Sequence, residues 1–310
     1  MNIKKVVLFI AVVGFAAAAN ARILRVSNVS GSSAPYTSIE AAHEAASPGD
    51  TIMVDASGTQ YFQGQITLTK KVVLLGPGYW LLENGIIDEG ISTAKIGAVR
   101  FKGEGSVIKG FTTGILYIDA PKVIVSRCQV IGSIRFSNGA DNCMIHQNFI
   151  KDGVMSTGGT AVRTNYHNIT NNIFTYTATG SSYFGGFDKA YIAYNTFRTS
   201  SAYIGYTDDS TFEYNIVQTF DDRGTGNSFS NNYQTGIVNE KATNEFIDKD
   251  YYSTIGLSSN IINTYGAFAG DSPYVLSGVP AGPVIEDLVV PATVELGSKL
   301  NVAIKVGVQQ

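Results

Sequence analysis

Ile145-His146-Gln147-Asn148-Phe149-Ile150 and Ile169-Thr170-Asn171-Asn172-Ile173-Phe174 are two instances of one phrase, apolar-x-x-Asn-x-apolar. It returns in Ile192 to Phe197, Phe212 to Val217 and Phe229 to Gln234, with Asn at 195, 215 and 232. Working backwards, Val125 to Val130 fits with Cys128 in the Asn slot, and Val107 to Thr112 fits with Gly110 there. The slots at 110, 128, 148, 172, 195, 215 and 232 are separated by 18, 20, 24, 23, 20 and 17 residues. A period near 20 that tolerates insertions is the signature of a solenoid coil. The residue three before each slot (Val107, Val125, Ile145, Ile169, Ile192, Phe212, Phe229) is apolar every time, so that column is expected to face a continuous core. Asn suits the slot if it forms a sharp bend between strands, since Asn and Gly adopt the left-handed backbone at least cost. Stacked Asn side chains can then bond from coil to coil.

Leucine-rich repeats would show Leu at fixed short spacings, and helical repeats would show amphipathic segments of ten or more residues; neither pattern occurs. The fold class expected is all-β, a single-stranded right-handed parallel β-helix. Composition agrees: 33 glycines, 17 Tyr and 16 Phe, one Trp, and only 15% charged residues suit stacked strands and turns. A solenoid also lets about 290 residues fold as one unit, because each coil packs only on its neighbours.

Outside the repeat, Lys4-Lys5, the apolar run Val6 to Ala19 and the small-x-small triplet Ala19-Asn20-Ala21 read as a signal peptide over residues 1–21, with Arg22 first in the mature chain. The apolar run is too short to span a membrane. The expected location is therefore secreted: extracellular, periplasmic or cell-surface associated. Thr37-Ser38-Ile39-Glu40 opens a short N-terminal capping helix, Ser38 to Ala46, that Pro48-Gly49 ends. The coil is expected over 22–282. Beyond it, 283–310 alternates as strands around Pro291 and Gly297 and is read as a C-terminal β cap or an attachment segment. The net charge of −3 without a basic run gives no footprint for nucleic acid or an anionic membrane.

The segment Tyr36-Thr37-Ser38-Ile39, Ala41-Ala42, Ala45-Ala46, Pro48-Gly49-Asp50-Thr51-Ile52 and Val73-Leu74-Leu75-Gly76-Pro77-Gly78 resembles the entry of pectin-lyase-like right-handed β-helix proteins. With the Asn repeat the resemblance spans about residues 36 to 235. Gly270 to Pro280 looks like the closing segment of secreted bacterial β-helix proteins. The resemblance implies a polysaccharide ligand held in a groove along one strand face, where rungs about 4.8 Å apart meet successive sugars.

Candidate groove strands are Leu116 to Asp119, Ile134 to Ser137, Ala161 to Thr164, Tyr183 to Phe187 and Ala202 to Tyr206. Arg135 and Arg163 follow Ile134 and Val162, so alternation places both guanidinium groups outside. β-Elimination at a uronic acid needs the carboxylate neutralised and a base near the C5 proton; similar lyases use Arg or Lys with Ca²⁺ there. Tyr183, Tyr203 and Tyr206 offer rings on which sugars pack, and serve equally as strand formers. Asp141, Asn165, Asp188 and Asp208 each lie seven before a slot. If the turns are equal in length, they form a column able to hold Ca²⁺; Asp and Asn also simply suit turns. The catalytic signatures of classical pectate lyases and of β-helix hydrolases are absent, so two functions stay open: a protein that binds, and cleaves, a uronic-acid polysaccharide, or a non-catalytic module displaying its face to glycans or a protein. Cys128 and Cys143 are expected to be free buried thiols, because the register separates them by more than a disulfide allows.

Overall fold

The structure, a computed structural model, describes residues 21–87, 90, 93–157, 163–175, 184–198, 202–235, 248, 257–280, 282–289, 299 and 302–309. Except for Ala21, the expected signal peptide lies outside them, as does Tyr183.

The chain winds as a parallel β-solenoid of three sheets, one ten-stranded and two eight-stranded. From Val107 onward to Gln234, the described coils contribute a short strand to sheet A and one to sheet C, most of them with one in sheet B as well. Sheet A stacks Ile23–Val26, Thr51–Val54, Val73–Leu75, Val107–Lys109, Ile124–Ser126, Met144–His146, Asn168–Thr170, Tyr191–Ala193, Thr211–Glu213 and Ser228–Ser230 in that order. Sheet B runs from Gln65–Leu68 through Ala98–Phe101, Leu116–Ile118, Ile134–Phe136, Val154–Ser156, Phe184–Gly185 and Ala202–Gly205 to Phe220–Asp222. Sheet C runs from Lys95–Ile96 to Tyr233–Gln234 and follows sheet A in each coil across a two-residue bend.

Strand alternation sends one row inward from each sheet. In sheet A the row is Leu24, Ile52, Leu74, Ile108, Val125, Ile145, Ile169, Ile192 and Phe212, all at most 4% exposed. Sheet B adds Val99, Leu116, Ile134, Val154, Phe184 and Ile204, and sheet C adds Val130, Ile150, Phe174 and Phe197. The expected column is thus the core, with one correction: Val125 pairs with Ile108, and Ile124 with Val107. The first coil of the repeat, that of Val107–Lys109, is therefore shifted by one, and Phe111 rather than Gly110 occupies its slot.

A second correction concerns the bend. The left-handed residue is the one before each slot: Gly110, Arg127, Gln147, Asn171, Tyr194, Tyr214 and Asn231, with φ between 51° and 74°. The slot side chain instead points inward and is selected for hydrogen bonding. The Oδ1 atoms of Asn148, Asn172, Asn195, Asn215 and Asn232 accept the main-chain N–H of the preceding coil's slot residue, at 2.9 to 3.0 Å. Their Nδ2 atoms donate to the carbonyls of Val125, Ile145, Ile169, Ile192 and Phe212. Asn148, Asn172, Asn195 and Asn215 are fully buried, as the repeat predicts. A non-glycine residue in the left-handed region costs roughly 1–2 kcal/mol, which the ladder's bonds offset.

Near the start, the helix Ile39–Ala45 accepts its first cap from Ser38, whose Oγ takes the Ala41 N–H at 3.2 Å. Its last carbonyls, those of His43, Glu44 and Ala46, take Lys70 Nζ at 2.7 to 3.0 Å. Asp50, buried, accepts four donors from the Arg22 main chain, the Arg22 guanidinium and the Ser47 N–H, which hold its carboxyl down at about 2.

Residues 257–280 return along the outside of sheet C as a strap. Tyr265 sits 5.7 Å from the Tyr233 ring in the last coil, and Pro280 meets Gly110 in the coil of Val107–Lys109. Between them the left-handed residues grip the strap: Tyr214 accepts from Gly266 N at 2.7 Å, Asn171 Nδ2 donates to Ala269 O at 2.8 Å, and Arg127 Nη1 donates to Val279 O at 2.8 Å. The strap's far end is locked by buried Asp248, which accepts from Asn84 Nδ2, Tyr274 OH and Ser277 N. Segment 283–310 contains two antiparallel strands, Gly282–Val289 and Ala303–Gln309.

Both cysteines are free and buried, as the register requires. Burial pushes each thiol up to about 12.

Candidate functional site

Sheet C is covered by the strap, whereas sheet B turns a row of side chains outward. That row is Thr67, Arg100, Tyr117, Arg135 and Met155, each paired with the next across one rung, and it ends at Gly185 and Gly205, which are buried and present no side chain. Its members alternate with buried neighbours such as Val99 and Phe101, or Ile134 and Phe136, and this alternation is what aims them out. A second outward row, Lys102, Asp119, Ser137 and Thr157, borders it.

At the centre, the Arg100 guanidinium lies 4.3 Å from the middle of the Tyr117 ring and pairs with Asp119 at 2.7 Å. Asp119 also accepts Ser137 Oγ at 2.7 Å. Burial works to raise the Asp119 carboxyl, but the Ser137 and Arg100 bonds and the Arg100 and Lys102 charges together hold it below the usual range. Arg135, one rung beyond Tyr117, donates through Nε to Ser133 Oγ at 2.8 Å.

Two of the connections leading into or out of sheet B are longer than those of neighbouring coils. Nine residues, 175–183, join Ile173–Phe174 to Phe184–Gly185 where the two preceding coils use three. Eleven, 157–167, join Val154–Ser156 to Asn168–Thr170 where the coil before uses seven. They account for the long spacings of 24 and 23, and both attach at the edges of sheet B beside Met155 and Gly185.

The expected Asp column forms in register: Asn165 pairs with Asp188, and Asp188 bridges to Asp208. Asp141 Oδ1 accepts both the main-chain N–H and the Nδ2 of Asn165. A second line of left-handed residues follows directly behind it: Gly105, Lys122, Asn142, Tyr166, Lys189, Asp209 and Gly226. The oxygens are engaged by protein donors: Arg163 pairs with Asp208, Lys189 lies 3.4 Å from Asp188, and Thr225 N donates to Asp208 at 2.8 Å. Among the described residues no three His, Cys, Asp or Glu side chains gather as a metal site. N–H groups and cations are the complement of a carboxylate, so Ca²⁺ would have to displace them.

Arg163 thus joins the Asp column while Arg135 stands in the outer row with Ser133. Tyr203 lies in Ala202–Gly205 opposite Asp221, its side chain outside the described residues. Tyr206, 37% exposed, follows Gly205 in the left-handed region at the strand's end. Sequence reasoning missed Arg100 and Lys102, and passed over Tyr117 and Asp119 within a strand it had placed on the groove. Their signal was the alternation Val99-Arg100-Phe101, obscured by the register slip in that coil. No protein-family model, curated protein or solved structure matches the chain.

Proposed function

We propose that this chain is an exported protein of the pectin-lyase-like right-handed β-helix kind that binds a uronic-acid polysaccharide along the outer row of sheet B. The observation that carries the reading is the in-register row Arg100, Tyr117, Arg135. Rungs about 4.8 Å apart offer a polymer a repeating set of contacts. Guanidinium groups are fitted to carboxylates through planar, paired N–H donors. Asp119 and the Tyr117 ring hold Arg100 from two sides, so less rotamer freedom is lost when a carboxylate arrives. Cleavage by elimination would add a base that takes the C5 proton while the glycosidic oxygen departs with its electron pair. The C4–O bond would break and a C4=C5 double bond form, with Arg135 as the candidate on the row to neutralise the uronate carboxylate.

A second reading, a binding module without catalysis, is favoured by Arg163: its guanidinium is committed to Asp208, leaving Arg135 as the one expected catalytic arginine on the polymer face. One experiment separates the readings. The mature protein is run through gels containing polygalacturonate or alginate and incubated with each polymer, with and without Ca²⁺, while ultraviolet absorbance follows unsaturated products. Retardation that Arg100→Ala and Arg135→Ala each reduce supports the groove. Growing absorbance adds lyase activity, and retardation alone supports the module. Absence of both removes the reading.

A further inference from the structure

The solenoid's last coil ends in a concavity of about 390 Å³ lined by Phe220, Asp222, Phe229, Ser230, Asn231, Asn232 and Gln234. Elsewhere in the coil such phenylalanines are closed over by the next rung, and Phe212 directly beneath is fully buried. Phe229 is 41% exposed, because Ser228–Ser230 is the last strand of sheet A. Its ring stacks on Phe212 with centroids 4.8 Å apart and planes 15° off parallel, which fixes it flat. Phe220 stands 5.2 Å away at 44° and forms a wall.

The rim is polar and only partly spent. Asn232 is used by the ladder, accepting from Asn215 and donating to Phe212 O. Asp222 Oδ1 accepts Gly224 N and Asn227 Nδ2, each at 3.0 Å, and the residue is exposed. The Asn231 and Gln234 amides have no hydrogen-bond partner among the described residues.

We infer that this end of the coil is a second carbohydrate site, separate from the sheet B row, that takes one neutral pyranose ring at the end of a sugar chain. The volume lies near the low end of the roughly 300–1,000 Å³ of small-molecule clefts, and suits one ring rather than a polymer. A pyranose presents a C–H face to an aromatic plane and a girdle of hydroxyls to amides and a carboxylate, and the cavity offers both in that arrangement. A purely apolar ligand would bury Asp222 and two amides without partners, at a penalty in each case. Asp222 is the one charged residue in the lining, so it repels a uronate and favours a neutral ring. The inference does not depend on the function proposed for sheet B.

The test is saturation-transfer-difference NMR of the whole mature protein with methyl β-D-glucopyranoside, methyl β-D-galactopyranoside and methyl β-D-glucuronide at millimolar concentration. Saturation is expected to pass from the protein to the ring C–H protons of a neutral glycoside, and at least tenfold less to the glucuronide when Arg100→Ala and Arg135→Ala have silenced the sheet B row. Phe229→Ala should abolish it with an unchanged circular dichroism spectrum and a modest fall in melting temperature, since the residue covers Phe212 in the last described strand of sheet A. Gln234→Ala should weaken it severalfold, and Asp222→Asn, made with Arg100→Ala and Arg135→Ala so that the sheet B row no longer holds a uronate, should raise the glucuronide signal. Equal transfer in Phe229→Ala, preference for the glucuronide once that row is silenced, or silence from all three probes would overturn the inference. So would a dimer in sedimentation equilibrium that Phe229→Ala dissociates, which would give this end to a second copy of the chain.

Discussion

Replacing Asn172 by Ala cuts the ladder at its middle. Asn172 Oδ1 accepts the Asn148 N–H at 2.9 Å and Asn148 Nδ2 at 3.0 Å, and its Nδ2 donates to Ile145 O at 2.8 Å. Alanine strips the Asn148 N–H and Ile145 O of these bonds and leaves Asn148 Nδ2 with Val125 O alone inside a fully buried column, whereas Asn195 Oδ1 keeps the main-chain N–H of residue 172. At about 1–3 kcal/mol for each unsatisfied buried group, with some relief from relaxation, the loss should be about 3–5 kcal/mol. Asn232→Ala removes the corresponding bonds at the open end, where Asn232 is half-buried and water can replace them. It should cost about 1 kcal/mol or less. Scanning calorimetry compares the two, and a drop of roughly 2–4 °C per kcal/mol makes them easy to tell apart. Because coils can open one by one, exchange of the Asn148 amide hydrogen provides a local readout, expected to accelerate strongly in Asn172→Ala alone. Equal shifts for the two variants, or an unchanged melting curve for Asn172→Ala, would show that the ladder is not what holds the bends.

Titration of the denatured, non-reduced chain should count two thiols, and the native chain at mildly alkaline pH should count none, since burial pushes Cys128 and Cys143 up to about 12; a mass two protons lighter would contradict the register. His167 accepts Cys143 N at Nδ1, so Nε2 carries the proton and donates to Thr164 Oγ1. Burial lowers its pKa to about 4 from 6.5, so the folded state binds fewer protons between those values and stability should fall as pH drops through that window, by on the order of 3 kcal/mol. Urea titrations should lose only His167's share of that slope in His167→Gln, since burial also lowers His146 to about 4 and lowers His43; an identical slope would remove His167 from the account. Asp248→Ala strands Asn84, Tyr274 and Ser277 and should open the strap, so limited proteolysis is expected to cut within 257–280 while the Asn148 amide stays protected. Intact strap in that variant would contradict the role of Asp248 as its lock.

The inward column was legible because its spacing survives insertions: whatever happens in the turns, Ile145, Ile169, Ile192 and Phe212 must return to the same wall. Val107-Ile108 misled the register by one because two adjacent apolar residues look alike until the partner Val125 selects one of them. The bend was read one residue late because residue type alone cannot tell whether Asn serves for its backbone or for its amide. The same phrase also occurs at Leu257-Ser-Ser-Asn260-Ile-Ile262, which folds as a helical turn, Ser259–Ile262, beside the strap. The Asp column was foreseen as a row of oxygens, and only its neighbours Arg163, Lys189 and Asn165 reveal what those oxygens hold.

Sequence alone determined the parallel coil, its core column and the buried ladder, because each follows from a period repeated through local spacing. Tertiary structure decided the rest. The strap over sheet C, the reach of Arg163 to Asp208, the Arg100, Tyr117 and Arg135 row, and the open aromatic end all join residues whose proximity depends on how many coils lie between them and which face each coil turns out. No local pattern encodes that, because an identical phrase in any coil would wind the same way whatever lay above, below or across it.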